Sequence, residues 1–290
     1  MYVGEIGGDS MTKNEVLLEV TENHLNTGLR GIPVGTCRTS FVTPSEGVHY
    51  CGYPIAELAA FEPEDIVYLL FNKELPNAEQ SAAIRQDLAA RAAVPGDLES
   101  VLKTLPKVGH PMDWLSVGIH TLGMMETTNN WKDDALNLIA RMPRLMGLIF
   151  RIREGREENI PSDDTSLSMV ERFIRCLDLH DANTEKMKRI ISTYLVLHMD
   201  HGGGNLSTFA GKAIASSKAT VYSAMAGAMN ALSGPLHGRA NQSCLEFVLK
   251  VGTSDPAEVE AFVRAELAAN RPIFGFGHAV LRSEDPRATV

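Results

Sequence analysis

The sequence predicts a mainly α-helical protein, and three observations carry that reading. Apolar residues recur at steps of three and four over several long segments, the spacing that gathers them on one side of a helix. Strand-prone runs occur in one early region only, with no strand–helix–strand alternation after it, which removes a doubly wound sheet. A stretch of Ala, Gly and Ser over 206–232 suits helices whose axes approach closely, either inside the chain or against a second copy.

In chain order, the start reads as a loose tail. The run GTCRTSFVTPSEGVHYCGYP follows, with two short β-prone pieces around Thr43-Pro44-Ser45-Glu46-Gly47, and predicts a small hairpin. Pro54 and Pro63 suit the first turns of helices. Asn77 with Gln80 predicts a capping box opening a helix through Ile84 and Leu88, and Asp97 is read as the cap of the next. Over 133–150, Ala135, Leu138, Ile139, Met142, Leu145, Met146 and Ile149 define one apolar face, with a kink expected at Pro143. A second face carries Met169, Val170, Phe173, Ile174 and Leu177. A third carries Met187, Ile190, Ile191, Tyr194 and Leu195.

The composition narrows the function. A net charge of −9 argues against a nucleic-acid surface, while Arg264, Arg271, Arg282 and Arg287 gather late in the chain and suit an anionic small ligand. No apolar run reaches the ~18 residues of a membrane helix. The four cysteines show no CxxC spacing and read as reduced thiols, and no secretory or transit signal is visible, so a cytoplasmic protein is expected.

Four clusters compete for chemistry. In YLVLHMDHGGGN, His198 falls on the apolar stripe of its helix and reads as a hydrogen-bonded core residue. His201 stands at the glycine stop, where a cationic cap suits the negative helix end. The pair lacks the rest of a zinc shell, so no metal is expected. HGGG without a G-x-S-x-G elbow is no esterase loop, and GFGHAV lacks the strand and third glycine of a dinucleotide site. The fourth cluster is a pair of glycine-flanked histidines, His237 in SGPLHGRANQ and His278 in GFGHAVLRSEDPR.

Taken together and in this order, LHMDHGGGN, SGPLHGRANQ and GFGHAVLRSEDPRA resemble the citrate synthase family, as do the earlier GYPIAELA and YLLFNKELP. The likeness runs from about Gly28 to the end. It implies a large helical domain over 28–238 after a tail of 1–27, and the start of a smaller helical domain over 239–290, with the hinge near Gly238. It also implies a homodimer built on the large domains, and condensation of acetyl-CoA with oxaloacetate at the entry of the tricarboxylic acid cycle, with acetyl-CoA as substrate and no cofactor. His237 resembles the residue that stabilises the enol or enolate of acetyl-CoA, and His278 the one that polarises the oxaloacetate carbonyl. His201, Asn205 and Arg287 resemble the groups around the oxaloacetate carboxylates. Arg282 resembles an arginine reaching the CoA phosphates, with Pro272, Ile273, Phe274, Gly275, Phe276 and Gly277 lining the adenine.

The chemistry suits these roles. A thioester α-proton is too weakly acidic for a base alone, so a positioned donor must meet the developing oxyanion. A neutral imidazole donates, and a helix N-terminus keeps it neutral; His237 is read as opening the helix that follows it. The arginine fork matches a carboxylate. The family's third catalytic group, an aspartate taking the α-proton, lies well past the second histidine, beyond Val290; Asp285 belongs to the DPR segment. The expectation is a C-terminally incomplete enzyme with weak condensation activity. The rivals are 2-methylcitrate synthase using propionyl-CoA, a dimerising module that binds without catalysis, and, more distantly, an unrelated helical metal-binding protein.

Overall fold

The computed structural model describes residues 16–26, 32–33, 35–178, 183–235, 237–277 and 280–290. His278, one of the two expected catalytic histidines, lies outside the described residues, as do the first fifteen residues of the tail. The fold is mainly α-helical, as the sequence predicts. A small antiparallel sheet comes first: β1 (Ser40–Thr43), β2 (Gly47–Tyr50) and β3 (Tyr53–Pro54), in that order. The expected hairpin is therefore present with a third short strand added, and Phe41 pairs with His49 across β1 and β2. Gly47 closes the turn at φ 86°, and a Cβ there would lie 2.7 Å from Cδ of Pro286.

The helices follow: α1 (Ile55–Leu58), α2 (Pro63–Asn72), α3 (Ala78–Ala90), α4 (Gly96–Thr104), α5 (Pro111–Glu126), α6 (Trp131–Arg153) and α7 (Met169–Leu177). After these come α8 (Thr184–His198), α9 (Leu206–Ala215), α10 (Val221–Leu232), α11 (Ala240–Val251), α12 (Pro256–Ala268) and α13 (Pro286–Thr289). Pro63 opens α2 at its first turn, and Asn77 and Gln80 form the predicted reciprocal capping box on α3. Asp97 does not cap α4. The helix begins at Gly96 with Pro95 in the cap position, which leaves Asp97 in the first turn, where its charge suits the helix dipole.

Two predicted helix faces change in the fold. α6 runs unbroken through the buried Pro143 and is buried on several sides, because α3, α4, α5, α7 and α10 all pack against it. A one-sided stripe underestimates such a central helix. On α8 the fully buried residues are Val196 and Leu197, while Ile190 and Tyr194 of the predicted stripe are about half exposed. His198 shares that outer edge. It is exposed, stacked on Tyr194 at 4.1 Å, and its Nδ1 lies 2.8 Å from the Tyr194 carbonyl, so it is not the core histidine expected.

One core cluster joins α4, α5, α6 and α10 around Leu102, Trp114, Leu122, Leu145 and Tyr222. Another joins the sheet, α1, α2 and the end of α8 around Val48, Tyr50, Ile66 and Val196, and takes in Leu281 from far along the chain. Burying each such side chain stabilises the fold by about 1.5–3 kcal/mol before chain entropy is counted. The small residues of α9 and α10 work inside the chain: a Cβ on Gly211 would touch Ala224 and Ala228 at 3.4 Å, so the two helices pack nearly backbone to backbone.

Candidate active site

The site is built on the loop that follows α8. Three side chains of the sheet region hold it. Tyr50 donates its hydroxyl to the Val196 carbonyl at 2.9 Å and accepts the Asp200 N–H at 3.2 Å. Thr39 donates to the Asp200 carboxylate at 2.5 Å, and Ser40 Oγ accepts the Gly202 N–H at 2.6 Å. Burial pushes the Tyr50 phenol up to about 12, so it stays a protonated donor throughout the physiological range. These pins fix His201, which lies between them.

Asn205 ends the loop and caps α9, its Oδ1 accepting the Thr208 N–H at 2.9 Å and the Ser207 hydroxyl at 2.8 Å. Asn205 is thus tied into helix start geometry beside the site. His237 meets the same helix start. The backbone nitrogen of Ser207 lies 3.3 Å from His237 Nε2, and Ser207 Oγ lies 3.0 Å from it. A backbone N–H can only donate, so Nε2 accepts and the ring proton sits on Nδ1. Burial lowers the His237 pKa below the ordinary histidine value, in the same direction as the positive end of α9. The sequence reading placed His237 at the start of the next helix. α11 instead begins at Ala240, and the helix terminus that faces the ring belongs to α9. Gly238 closes this turn tightly, since a Cβ there would lie 2.6 Å from Cγ of Leu232.

At the other end of the loop, His201 Nε2 lies 3.4 Å from Nη2 of Arg287. The last segment is carried there by the sheet: the Arg282 N–H donates to the Pro44 carbonyl at 2.9 Å, and Ser283 donates to the Ser45 carbonyl at 3.0 Å. Asp285 then caps α13 and grips the Arg287 guanidinium through Nε at 3.0 Å and Nη2 at 2.6 Å. The structure therefore brings His201, Asn205, His237 and Arg287 to one loop. His201 and Ser207 are six chain steps apart, at most about 20 Å of extended chain.

The expected CoA-binding residues lie further out. Arg282 is exposed, its Nη1 donating to the Leu281 carbonyl at 2.8 Å. Pro272, Gly275, Phe276 and Gly277 are exposed, Phe276 at 80%, while Ile273 and Phe274 are half-buried. Among the described residues no cluster of three or more His, Cys, Asp or Glu is placed to hold a metal ion. Sequence reasoning missed Ser207, Tyr50, Thr39 and Asp200; the Asn-x-x-Thr capping pattern at 205–208 was the available signal for Ser207. It also missed His110, whose Nε2 lies 3.0 Å from Oε1 of Gln242 and ties the start of α5 to α11.

Fold and site together define a helical protein in which one imidazole faces a helix N-terminus while a second imidazole and a guanidinium meet at the other end of the same loop, a class suited to anionic substrates and developing oxyanions. The chain belongs to the citrate synthase family: the family model described as citrate synthase, C-terminal domain, matches residues 28–290. It is 32% identical over 92% of its length to citrate synthase 4, mitochondrial, of Arabidopsis thaliana, and spans 62% of that relative. It is 30% identical over 96% of its length to the mitochondrial 2-methylcitrate synthase of Yarrowia lipolytica, spanning 65% of it. The chain thus covers a little under two thirds of the curated relatives. Among solved structures, citrate synthase from Thermotoga maritima superposes with a TM-score of 0.79 at 29% identity, over 91% of this chain and 70% of that one. The ternary complex of carboxymethyl coenzyme A and oxaloacetate with citrate synthase from Thermoplasma acidophilum superposes at 0.80 with 25% identity, over 90% and 70%.

Proposed function

We propose that the protein to which this chain belongs condenses acetyl-CoA with oxaloacetate and hydrolyses the citryl thioester to citrate and CoA, feeding the tricarboxylic acid cycle. The observation that carries the proposal is His237 accepting the Ser207 N–H at Nε2, which leaves a neutral ring with an Nδ1–H donor. That donor suits the thioester oxygen as it gains charge on loss of the α-proton. The enolate carbon then bonds to the ketone carbon of oxaloacetate, whose oxygen takes up a proton. The resemblance gives this second oxygen to His278. Water attack on the thioester carbonyl releases the CoA thiol. The resemblance gives the α-proton to the family's aspartate, which lies well past the second histidine.

Arg287, held by Asp285 and beside His201, is proposed to meet a carboxylate of oxaloacetate, with Asn205 proposed for the same ligand. Arg282 and residues 272–277 are proposed for CoA. No cofactor is needed, because acetyl-CoA is consumed as substrate. The proposed smaller unit rests on α11, which has no fully buried residue, and α12, whose only one among those described is Glu266. A homodimer is supported by exposed Val117, Met124 and Met125 on α5 beside exposed Met225 on α10. Four free cysteines support a reducing compartment, which the proposal takes as the cytoplasm.

The experiment is calorimetric titration with oxaloacetate, followed by release of CoA thiol from acetyl-CoA and from propionyl-CoA. Saturable oxaloacetate binding and oxaloacetate-dependent thiol release carry the proposal. No binding of oxaloacetate overturns it. Preference for propionyl-CoA moves the reading to 2-methylcitrate synthase, which the similarity to the Yarrowia enzyme supports.

A further inference from the structure

A closed ring of polar contacts grips the loop that carries His201, and Asp200 is its anionic member. One carboxylate oxygen, Oδ2, accepts the Thr39 hydroxyl at 2.5 Å, and the other, Oδ1, accepts the Gly202 N–H at 3.1 Å. The same N–H reaches Ser40 Oγ at 2.6 Å. On the far side, Cys37 Sγ stands 3.5 Å from Thr39 Oγ1 and 3.6 Å from Ser40 Oγ, so the sulfur joins the two hydroxyls. His201 lies between Asp200 and Gly202 in the chain, and the ring therefore fixes the backbone on both sides of it. The frame behind it is the sheet. The Thr39 carbonyl accepts the Cys51 N–H at 2.7 Å, one position beyond the last β1–β2 pair, and Tyr50 accepts the Asp200 N–H.

A carboxylate next to a site for a dianion repels that ligand. Asp200 returns geometry instead. It has two acceptor oxygens, one for each donor, where an asparagine would turn its amide nitrogen toward one of them. At the other end of His201, Nε2 lies 3.4 Å from Nη2 of Arg287, and because a guanidinium only donates, Nε2 accepts. Binding groups of this kind must be held to within about 0.5 Å by the shell around them. We propose that Asp200, locked by Thr39, is a positioning residue for oxaloacetate: it sets affinity without touching the ligand, by holding His201 where it and Arg287 meet one carboxylate. This role rests on the proposed binding of oxaloacetate at His201 and Arg287.

Calorimetric titration of the full chain with oxaloacetate tests it. Thr39→Val keeps the shape and removes the hydroxyl, and is expected to weaken oxaloacetate by about tenfold or more. Thr39→Ser keeps the hydroxyl and is expected to stay within about twofold of the unaltered chain. Asp200→Asn keeps one acceptor and is expected to fall between the two. The deciding measurement is a double-mutant cycle with His201→Asn, which has already lost the imidazole. In that background Thr39→Val is expected to change affinity by less than about twofold, because it acts only through His201, whereas a merely structural role would weaken both backgrounds alike. Should Thr39→Val not fold, Asp200→Asn takes its place in the same cycle. Equal losses in the two backgrounds overturn the proposal, as does unchanged affinity in folded Thr39→Val. If the unaltered chain binds oxaloacetate, either result removes this role alone. If the unaltered chain binds none, the proposed function falls and this role falls with it.

Discussion

Nε2 of His237 sits 3.3 Å from the backbone nitrogen of Ser207, at the start of a helix formed thirty residues earlier in the chain. This contact decides where the imidazole carries its proton, and so which nitrogen is free to act on a ligand. It also makes the ring a poor base, since a second proton would have to displace the N–H at Nε2.

His237 should therefore titrate below an ordinary histidine, and nitrogen chemical shifts should report the Nδ1–H form. Its folded pKa is lowered from 6.5 by burial, so the unfolded chain binds the proton first. The stability it contributes is complete above pH 6.5 and falls as the pH drops through the lowered value. A His237 signal that titrates above 6.5 would contradict this geometry.

Tyr50→Phe removes one hydroxyl that serves both the Val196 carbonyl and the Asp200 N–H. A loss of about 1–3 kcal/mol is expected in denaturant melts, with faster hydrogen exchange at the Asp200 amide. The folded state holds the phenol neutral up to about 12 because of burial. Its contribution is full below the ordinary value of 10.0 and is lost as the pH rises toward 12, so wild type should lose stability there and Tyr50→Phe should lose less.

Gly123→Ala tests the approach of α5 to α10. Alanine would favour the helix by about 1 kcal/mol if there were room. A Cβ at 123 would instead press into Cβ of Tyr222 and lie 2.9 Å from its Cγ, next to backbone that cannot swing away. The expected result is a net loss of about 1–3 kcal/mol, or roughly 2–4 °C in Tm per kcal/mol.

Arg151 is 2% exposed, donates through Nε to the Cys176 carbonyl at 2.5 Å and pairs with Asp178 at 3.0 Å. Arg151→Met keeps the bulk but leaves the carbonyl open at the end of α7. A cost of about 1–3 kcal/mol is expected by calorimetry. A smaller effect would mean that the carbonyl finds water.

Arg287→Lys keeps the charge and loses the fork held by Asp285. If Arg287 meets a carboxylate of oxaloacetate, affinity should fall by about tenfold or more in the same calorimetric titration. Unchanged affinity would remove Arg287 from the proposed site.

Helix content, the capping box at Asn77 and Gln80, the proline at the start of α2 and the turn at 43–47 were all legible in the sequence, because each rests on residues a few positions apart. The family motifs were legible for the same reason. The buried sides of α6 and α8 were not. A stripe such as Ile190 and Tyr194 carries the right period, yet which of two apolar edges meets the core depends on neighbours that arrive from elsewhere. His198 was misplaced with that stripe.

By itself, the sequence determined that this chain is helical and which histidines stand at breaks in it, since helix periodicity and glycine stops are local properties. The tertiary structure alone decided that His237 faces the start of α9 rather than its own next helix, and that Leu281 and Pro286 pack against the sheet side and bring Arg287 to His201. The reason is that hydrogen bonds and charges act over a few ångströms of space, and the chain positions they join here are separated by 30 and 86 residues.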